Sequence, residues 1–184
     1  MAFWTDVGST DADPKRGFRW KIQFDNLAGD GESIVWFAKK VEKPNFEVTE
    51  SEHSFLNHKY YWPGRVIWAP INLTLVDPVS PDAVGQTNKI IEAMGYQIPK
   101  DGNDLISMAK GKSQTALGAV VISQLDSNGK ENEIWTLKQA WLKDVKFGEL
   151  SYESDDLIEI SLTLRYDWAT CEINGEVFYS QQAQ

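Results

Sequence analysis

The chain of 184 residues carries 18 lysines and arginines against 27 aspartates and glutamates, which gives a net charge of −9. A hydrophobic fraction of 42% and a charged fraction of 24% are ordinary for a globular protein, and the length predicts one domain. The acidic balance argues against binding to a nucleic-acid backbone, which depends on lysine and arginine. Cys171 is the single cysteine, which excludes an internal disulfide and a cysteine-rich metal site.

Targeting and domain boundaries follow from the polarity of the chain. The N-terminal residues lack the charged and then apolar pattern of a signal peptide, and no run of about 18 apolar residues predicts a membrane span. We therefore expect a protein with no membrane anchor that stays in the reducing cytosol where it is made. We divide the chain into an N-terminal arm (1–15), one β-domain (16–172) and a C-terminal tail (173–184).

The first strong pattern is the alternation of apolar and polar residues over 18–25, which predicts a half-buried strand. Its polar face carries Arg19, Lys21 and Gln23. A turn at 26–32 and a returning strand at 33–38 follow.

A strand at 46–50 precedes a predicted strand pair at 54–61 and 65–76, with the turn placed at residues 62–64 because Pro-Gly marks turns. Pro70 inside the second strand predicts an edge, a bulge or a kink. Residues 58–65 read HKYYWPGR, in which three adjacent aromatics lie between basic residues. That composition is typical of a platform for single-stranded nucleic acid, but the net charge of −9 favours a protein–protein contact.

Residues 80–95 predict one amphipathic helix. Ser80 suits the N-cap and Pro81 the first helical position, while Gly95 suits the C-terminal end. The helical spacing comes from Val84, Thr87, Ile90, Ile91 and Met94. Residues 97–117 predict a loop with at most a short helix.

The last third of the chain predicts further strands. Segments 119–125 and 132–137 form a hairpin around an Asn-Gly turn, and 141–147 is a strand. An acidic turn at 148–156 leads to eleven residues of strict alternation at 158–168, whose polar face includes Glu159, Thr163 and Arg165. The predicted fold is mainly β: an antiparallel β-barrel or β-sandwich with one inserted flanking helix and an extended hairpin.

Candidate chemistry is sparse. His53 and His58 are five residues apart, so on one regular strand they would face opposite sides and could not share a metal. Glu153, Asp155 and Asp156 could supply a carboxylate pair for glycosidic cleavage, although an acidic cluster in a turn is normally just solvated. We predict no catalytic activity, no metal and no cofactor. The eight tryptophans fit either interface anchors or a tryptophan-rich core.

Taken in order, the segments resemble the tail tube protein of contractile-tailed bacteriophages over about residues 16–172. The resemblance rests on three stretches: KVEKPNFEVTESEHSFLNHKYYWPGRVIWAPINLTLVDP, SPDAVGQTNKIIEAMG and IWTLKQAWLKDVKFGELSYESDDLIEISLTLRYDWATCEI. It implies a non-catalytic virion subunit, assembled in the host cytoplasm, whose homohexameric rings stack into a hollow tube inside a contractile sheath. The tube conducts the genome.

The resemblance also implies partners and surfaces. The partners are other copies of the chain, the sheath protein, and baseplate and tail terminator proteins, while the tape measure protein and DNA pass through the lumen without specific binding. The extended hairpin, about 47–65, would reach the neighbouring ring. The candidate inter-ring residues are His58, Lys59, Tyr60, Tyr61, Trp62, Pro63, Gly64 and Arg65, with Lys59 and Arg65 pairing with a neighbour's acids. The lumen wall is either the face of Arg19, Lys21 and Gln23 or the face of Glu159, Thr163 and Arg165.

Three alternatives stay open. Tube proteins of type VI secretion systems and of extracellular contractile injection particles share this architecture. A monomeric ligand-binding β-barrel would explain the aromatics without oligomers. A glycosidase would require a concave acidic pocket.

Overall fold

The computed structural model describes residues 14–24, 38–80, 82–101, 106–153 and 155–179. Within these ranges there are eleven strands and two helices. The strands are β1 (Trp20–Phe24), β2 (Ala38–Val41), β3 (Phe46–Phe55), β4 (His58–Trp68), β5 (Ile71–Val76), β6 (Val120–Leu125), β7 (Glu131–Lys138), β8 (Trp141–Lys146), β9 (Glu159–Arg165), β10 (Trp168–Ile173) and β11 (Glu176–Phe178). The helices are α1 (Ala83–Ala93) and α2 (Lys110–Leu117).

The strands form two sheets and a separate hairpin. A five-stranded sheet has the order β1-β6-β7-β10-β11, a four-stranded sheet has the order β2-β5-β9-β8, and β3 pairs only with β4. Every pairing is antiparallel. The predicted mainly β, antiparallel fold with an extended hairpin is confirmed. The described strands do not close into a barrel, so the fold is the β-sandwich of the two alternatives.

The core lies between the two sheets and under the helices. Alternation puts one side of strands such as β5 and β9 into this core. Each Å² of apolar surface removed from water in this way contributes about 25 cal/mol. In β9, residues Ile160, Leu162 and Leu164 are buried, whereas the polar residues between them face outward. The predicted alternation of this strand is therefore confirmed over residues 159–165.

Helix α1 lies where the sequence predicts it but begins later. The N-cap is Asp82 and not Ser80. Gly95 ends the helix with φ +101°, and its N–H donates to the carbonyl of Glu92 at 2.9 Å. Helix α2 is a second helix, eight residues long, in the segment predicted as a loop with at most a short helix.

The predicted hairpin exists, but the turn predicted at residues 62–64 is wrong. The chain turns at Leu56 and Asn57, where Leu56 adopts a positive φ of 52°. Pro63 lies inside β4 opposite Glu50, and the register shifts between Val48 and Glu50. Pro-Gly therefore forms a β-bulge here, a position that tolerates both a missing N–H and a missing side chain.

Two long predicted strands are each two strands. The segment 65–76 breaks at Ala69 and Pro70, where the chain passes from the hairpin into the four-stranded sheet. The sequence predicts an edge, a bulge or a kink at Pro70, and the structure has a break between two strands there. The segment 158–168 breaks after Arg165, and Trp168 begins β10 in the other sheet. Alternation continues across that crossing because buried Tyr166 occupies it, so the pattern alone did not reveal the break.

The described tryptophans divide between the core and the surface, and the interpretation as interface anchors stays a prediction. Four of them lie partly buried against the core: Trp20, Trp68, Trp135 and Trp141. Trp62 is half exposed on the hairpin. Two tryptophans, Trp4 and Trp36, lie outside the described residues. The returning strand predicted at 33–38 also lies outside them, apart from Ala38, so its existence stays a prediction.

Candidate functional site

The hairpin of β3 and β4 is the most exposed regular element of the described chain. Almost all of its residues are exposed, and its two strands pair with each other and with no strand of either sheet. All eight candidate contact residues, 58–65, lie in β4. A two-stranded ribbon has little core of its own, so large apolar side chains on it remain available to a partner.

One side of the outer hairpin is aromatic. We call the residues Ser51, His53, Phe55, His58, Tyr60 and Trp62 the aromatic face; the strand register places them on one side. The ring of His53 lies 6.1 Å from that of Trp62, Tyr60 lies 6.3 Å from Trp62, and His58 lies 4.9 Å from Tyr60.

The expectation that His53 and His58 face opposite sides is wrong. It assumed one continuous strand, but the turn at Leu56 places the two histidines on different strands. His53 lies opposite Tyr60 and His58 lies opposite Phe55, on the same face. Among the described residues, no group of three or more potential ligands could hold a metal ion.

The other side of the outer hairpin is polar apart from Tyr61, which lies opposite Glu52 and is about half exposed. Lys59 forms an ion pair with Glu52 at 2.8 Å, and Ser54 donates to Glu52 at 3.1 Å. These hydrogen bonds lower the pKa of Glu52, and the one from Lys59 has the larger effect. Lys59 is thus engaged within its own hairpin, whereas the sequence analysis assigned it to an acid of a neighbour.

An aromatic cluster holds the base of the hairpin. The rings of Phe46 and Trp68 lie 5.1 Å apart, edge to face. Tyr179 contacts both of them, at 5.9 and 6.0 Å, and stacks on Trp135 at 6.5 Å. Such pairs contribute about 0.5–1.5 kcal/mol each beyond the area they bury. Tyr179 therefore connects the hairpin to the five-stranded sheet.

Sequence reasoning missed Tyr179 because it lies in the segment assigned to the C-terminal tail. The short strand β11 precedes it and pairs with β10. The signal was present, since Asn174 and Gly175 form the positive-φ turn between these strands, at 52° and 85°. Asn-Gly between two apolar runs is the strongest short hairpin signal.

The outward side of the four-stranded sheet is polar. We call the outward residues Glu42, Asn72, Glu159, Ser161, Thr163 and Arg165, together with Lys39 at the sheet edge, the polar sheet face. Lys39 pairs with Glu159, and this hydrogen bond raises the pKa of Lys39. Thr163 donates to Asn72 at 3.0 Å, and Asn72 donates to Glu42 at 3.0 Å. Arg165 donates to the carbonyl of Trp68 at 2.8 Å. Lys39 and Arg165 are thus engaged within the chain, whereas Lys40, opposite Thr74, and Lys146, opposite Ser161, lie on the same side and are exposed.

The other lumen candidates lie on the opposite side of the sandwich. Lys21 pairs with Glu131 at 2.5 Å, and Gln23 is exposed on β1. Gln23 lies across from Val121, and the same side of this sheet includes Ile134, both half-buried. The structure thus places the two candidate faces on different sheets, and the one with Lys21 is less uniformly polar.

A buried carboxylate joins three segments beside the hairpin. Glu133 on β7 accepts hydrogen bonds from Lys15, from Lys43 at 2.7 Å and from the indole N–H of Trp135 at 2.6 Å. Burial by itself raises the pKa of Glu133, but these three donors outweigh it and lower the pKa to about 2. The Glu133 carboxylate therefore has a structural role and is not a general acid.

The remaining titratable candidates do not form a reactive site. Burial raises the pKa of the Cys171 thiol, which disfavours the nucleophilic thiolate. Asp155 and Asp156 do line a concave acidic cleft, as the glycosidase alternative requires. Their side chains are exposed, however, as expected of acids in a solvated surface turn. No helix in the described part of the chain is long and apolar enough to span a membrane.

A scan against protein-family models and a search of curated protein sequences give no match. Solved structures do. A chain of the anti-feeding prophage cap (AFP tube terminating cap), solved by cryo-EM, has a TM-score of 0.60 at 16% identity, covering 94% of this chain and 99% of that one.

A chain of the PVC sheath–tube complex, an extracellular contractile injection system in the extended state, has a TM-score of 0.59 at 13% identity, covering 89% of this chain and 94% of that one. A chain of the PVC sheath/tube terminator has a TM-score of 0.56 at 16% identity, covering 87% and 97%. At these identities the likeness concerns the fold. The protein has the fold of chains from contractile injection systems, and the resemblance to the tail tube family is confirmed at that level.

Proposed function

We propose that the protein is a structural, non-catalytic tube subunit of a contractile tail, in its preferred form the tail tube of a contractile-tailed phage. Its homohexameric rings would stack into a hollow conduit inside the sheath. The observation that carries the proposal is the aromatic face of the projecting hairpin. Tyr60 and Trp62 are about half exposed, at 48% and 51%, and a monomer gains nothing from leaving these rings in water.

The hairpin is the proposed inter-ring contact. A contact between unlike surfaces of identical chains generates an open stack when the rotation between neighbours does not close into a ring. Residues 58–65 would contribute through the rings of the aromatic face, while Pro63 and Gly64 shape the strand. Lys59 would contribute less to a neighbour, because it already pairs with Glu52.

The polar sheet face is the proposed lumen wall. A water-filled conduit for a polyanion requires a hydrated surface that offers few free cations, because each lysine–phosphate contact slows the cargo. Lys39 and Arg165 are both engaged by groups of the same chain, while Lys40 and Lys146 on this side are exposed. We rank the face of Arg19, Lys21 and Gln23 second because Val121 and Ile134 share its side, against Val76 on the polar sheet face.

Partners follow from the same proposal. They are other copies of the chain, the sheath protein, and baseplate and terminator proteins, with the tape measure protein and DNA passing through the lumen. The object is a virion tail assembled in the host cytoplasm. Structures of similar fold come from a sheath–tube complex, a tube cap and a terminator, which supports a place in such an assembly.

An extracellular contractile injection particle is the second candidate, because the similar chains come from such particles. Such a particle would be built from the same kind of stacked subunit but would carry a different cargo. The monomeric ligand-binding barrel has less support, since side chains such as Leu73, Ile122 and Leu162 fill the space between the sheets.

Sedimentation velocity over a range of concentrations tests the assembly proposal. The wild type should form large species as its concentration rises. A variant in which Asn-Gly replaces residues 51–62 reconnects Glu50 to Pro63, which already lie opposite each other. This variant should keep the wild-type circular dichroism spectrum and melting temperature but form no long polymers. A wild type that stays monomeric would contradict the function, and a variant that polymerises normally would contradict the role of the hairpin.

A further inference from the structure

The hairpin and the β8–β9 loop lie at opposite ends of the four-stranded sheet. At one end, β5 begins at Ile71, which pairs with Leu164, and the hairpin leaves the sheet there. At the other end, Val76 pairs with Glu159, where β9 begins. The loop of residues 148–153 and 155–158 enters β9 at that second end; we call it the acidic loop.

The acidic loop encloses a cleft of about 1050 Å³. Apolar side chains on the loop are exposed, among them Leu150, Tyr152 and Leu157. The loop contains four acids, Glu149, Glu153, Asp155 and Asp156, and no lysine or arginine. The lining combines these apolar side chains with Glu149, Asp155, Asp156 and the Lys39–Glu159 ion pair, so the cleft offers apolar contact area among mostly negative charges.

The base of the loop is fixed to the sheet. Ile158 accepts a hydrogen bond from the N–H of Asp77 at 2.9 Å. Gly148, with φ +86°, lies so close to the Glu159 carbonyl that a Cβ would come within 2.8 Å of it. The cleft is therefore held at the end of the sheet by backbone contacts on both sides.

We infer that this cleft receives the aromatic face of the hairpin from a second copy of the chain. The inference rests on the proposed stacking function and names the receiving surface. The aromatic face contains no carboxylate, whereas the polar side of the hairpin carries Glu50 and Glu52 against one cation, Lys59, which pairs with Glu52. The acids of the cleft would therefore repel the polar side more than the aromatic face.

The geometry matches a head-to-tail contact. Because the two surfaces lie at opposite ends of one sheet, a copy displaced along the strand direction presents its cleft to the hairpin of the previous copy. Repeating that displacement gives an open stack with one kind of contact. The same separation prevents a chain from filling its own cleft.

A second group of exposed apolar residues is the other candidate for the surface that binds the hairpin: Tyr96, Ile98, Ile106 and Met108. Its last residues run into α2, whose Lys110 forms an ion pair with Asp167 at 2.5 Å. Asp167 follows β9 at the end from which the hairpin leaves. This patch therefore lies on the hairpin side of the sheet, where head-to-tail stacking cannot reach it.

Disulfide cross-linking of the assembled protein tests the inference. Trp62 and Tyr152 are both exposed, so Trp62→Cys and Tyr152→Cys leave the core intact, and buried Cys171 can remain in place. Mild oxidation of assembled double variant should give a ladder of dimers and higher multimers on a non-reducing gel. An equal mixture of the two single variants should give dimers only, because each chain then has one reactive partner.

The matched control is the double variant Trp62→Cys with Ile98→Cys, which should give no ladder. A ladder in this control and not in the first pair would move the receiver to the other patch and overturn the inference. Assembled tubes with no ladder in either pair would also overturn it, while leaving the proposed function intact. Absence of any assembly by the wild type, seen by sedimentation, would overturn the proposed function and the inference with it. Where the wild type assembles and the Trp62→Cys variants do not, Ser51→Cys replaces Trp62→Cys in both pairs, because Ser51 lies opposite Trp62 and its substitution keeps the ring.

Discussion

The side chain of Thr49 lies directly against Gly64 in the middle of the hairpin. A Cβ on residue 64 would come within 2.4 Å of Thr49 Oγ1 and 2.8 Å of its carbonyl oxygen. The same hydroxyl accepts a hydrogen bond from the N–H of Arg65 at 2.8 Å. This contact forms the bulge of β4, which explains why Pro-Gly lies within a strand here and not in the turn.

Gly64→Ala should therefore disturb the hairpin and leave the sandwich folded. The backbone of Thr49 must shift to accept the new Cβ, which weakens the Arg65–Thr49 hydrogen bond. Hydrogen exchange should report faster exchange at Arg65 with unchanged protection of β9. Gly111→Ala is the control, because nothing lies within 4 Å of that position and alanine favours helix α2 by up to about 1 kcal/mol. Wild-type exchange at Arg65 in the Gly64 variant would contradict the bulge assignment.

Removing the ring of Tyr179 should loosen the base of the hairpin. Tyr179→Ala deletes contacts to Phe46, Trp68 and Trp135, and we expect it to lower the free energy of unfolding by about 1–3 kcal/mol. Tyr179→Phe keeps the ring and should retain most of the stability. Urea denaturation of the two variants measures the difference, and equal losses would show that the ring contacts are not responsible.

Stability should fall in acid partly through Glu133. Its folded-state pKa of about 2 lies below the ordinary 4.5, so its contribution is complete above pH 4.5 and is lost as the pH falls towards 2. Glu133→Gln should cost about 1–3 kcal/mol at neutral pH and flatten the dependence in that window. The control Glu131→Gln removes a more exposed ion pair with Lys21 and should cost about 0–1 kcal/mol. An unchanged slope between pH 4.5 and 2 in the Glu133 variant would contradict this.

Gold labelling can decide which face lines the lumen. Thr163→Cys places a thiol on the polar sheet face, and Gln23→Cys places one on the other sheet. In assembled tubes treated with maleimide-linked gold, we expect the label along the axis for Thr163→Cys and on the outside for Gln23→Cys. The reverse distribution would show that the sheet face carrying Gln23 lines the lumen and that the polar sheet face lies outside.

Local sequence patterns correctly predicted the elements whose structure depends on a single short motif. The alternation around Ile160 and Leu162, the Asn-Gly turn at Gly129 and the helix end at Gly95 are such cases. Pairing between distant strands does not appear in a local pattern. The two candidate lumen faces therefore looked equivalent, although they belong to different sheets, and His53 and His58 appeared to point apart.

The missed turn has a different physical reason. Leu56 supplies the positive φ that glycine normally provides, so the true turn had no sequence signal. Pro63 and Gly64 supplied a strong but misleading one. The acidic loop also looked like an ordinary solvated turn, because its concavity depends on the contacts that Gly148 and Ile158 make with residues beyond the loop.

Negative-stain electron microscopy of the purified protein at increasing concentration tests the central claim most directly. The account predicts six-fold rings and hollow rods for the wild type. When residues 51–62 are replaced by Asn-Gly, it predicts rings but no long rods. Uniform small particles of wild-type protein at every concentration would contradict it.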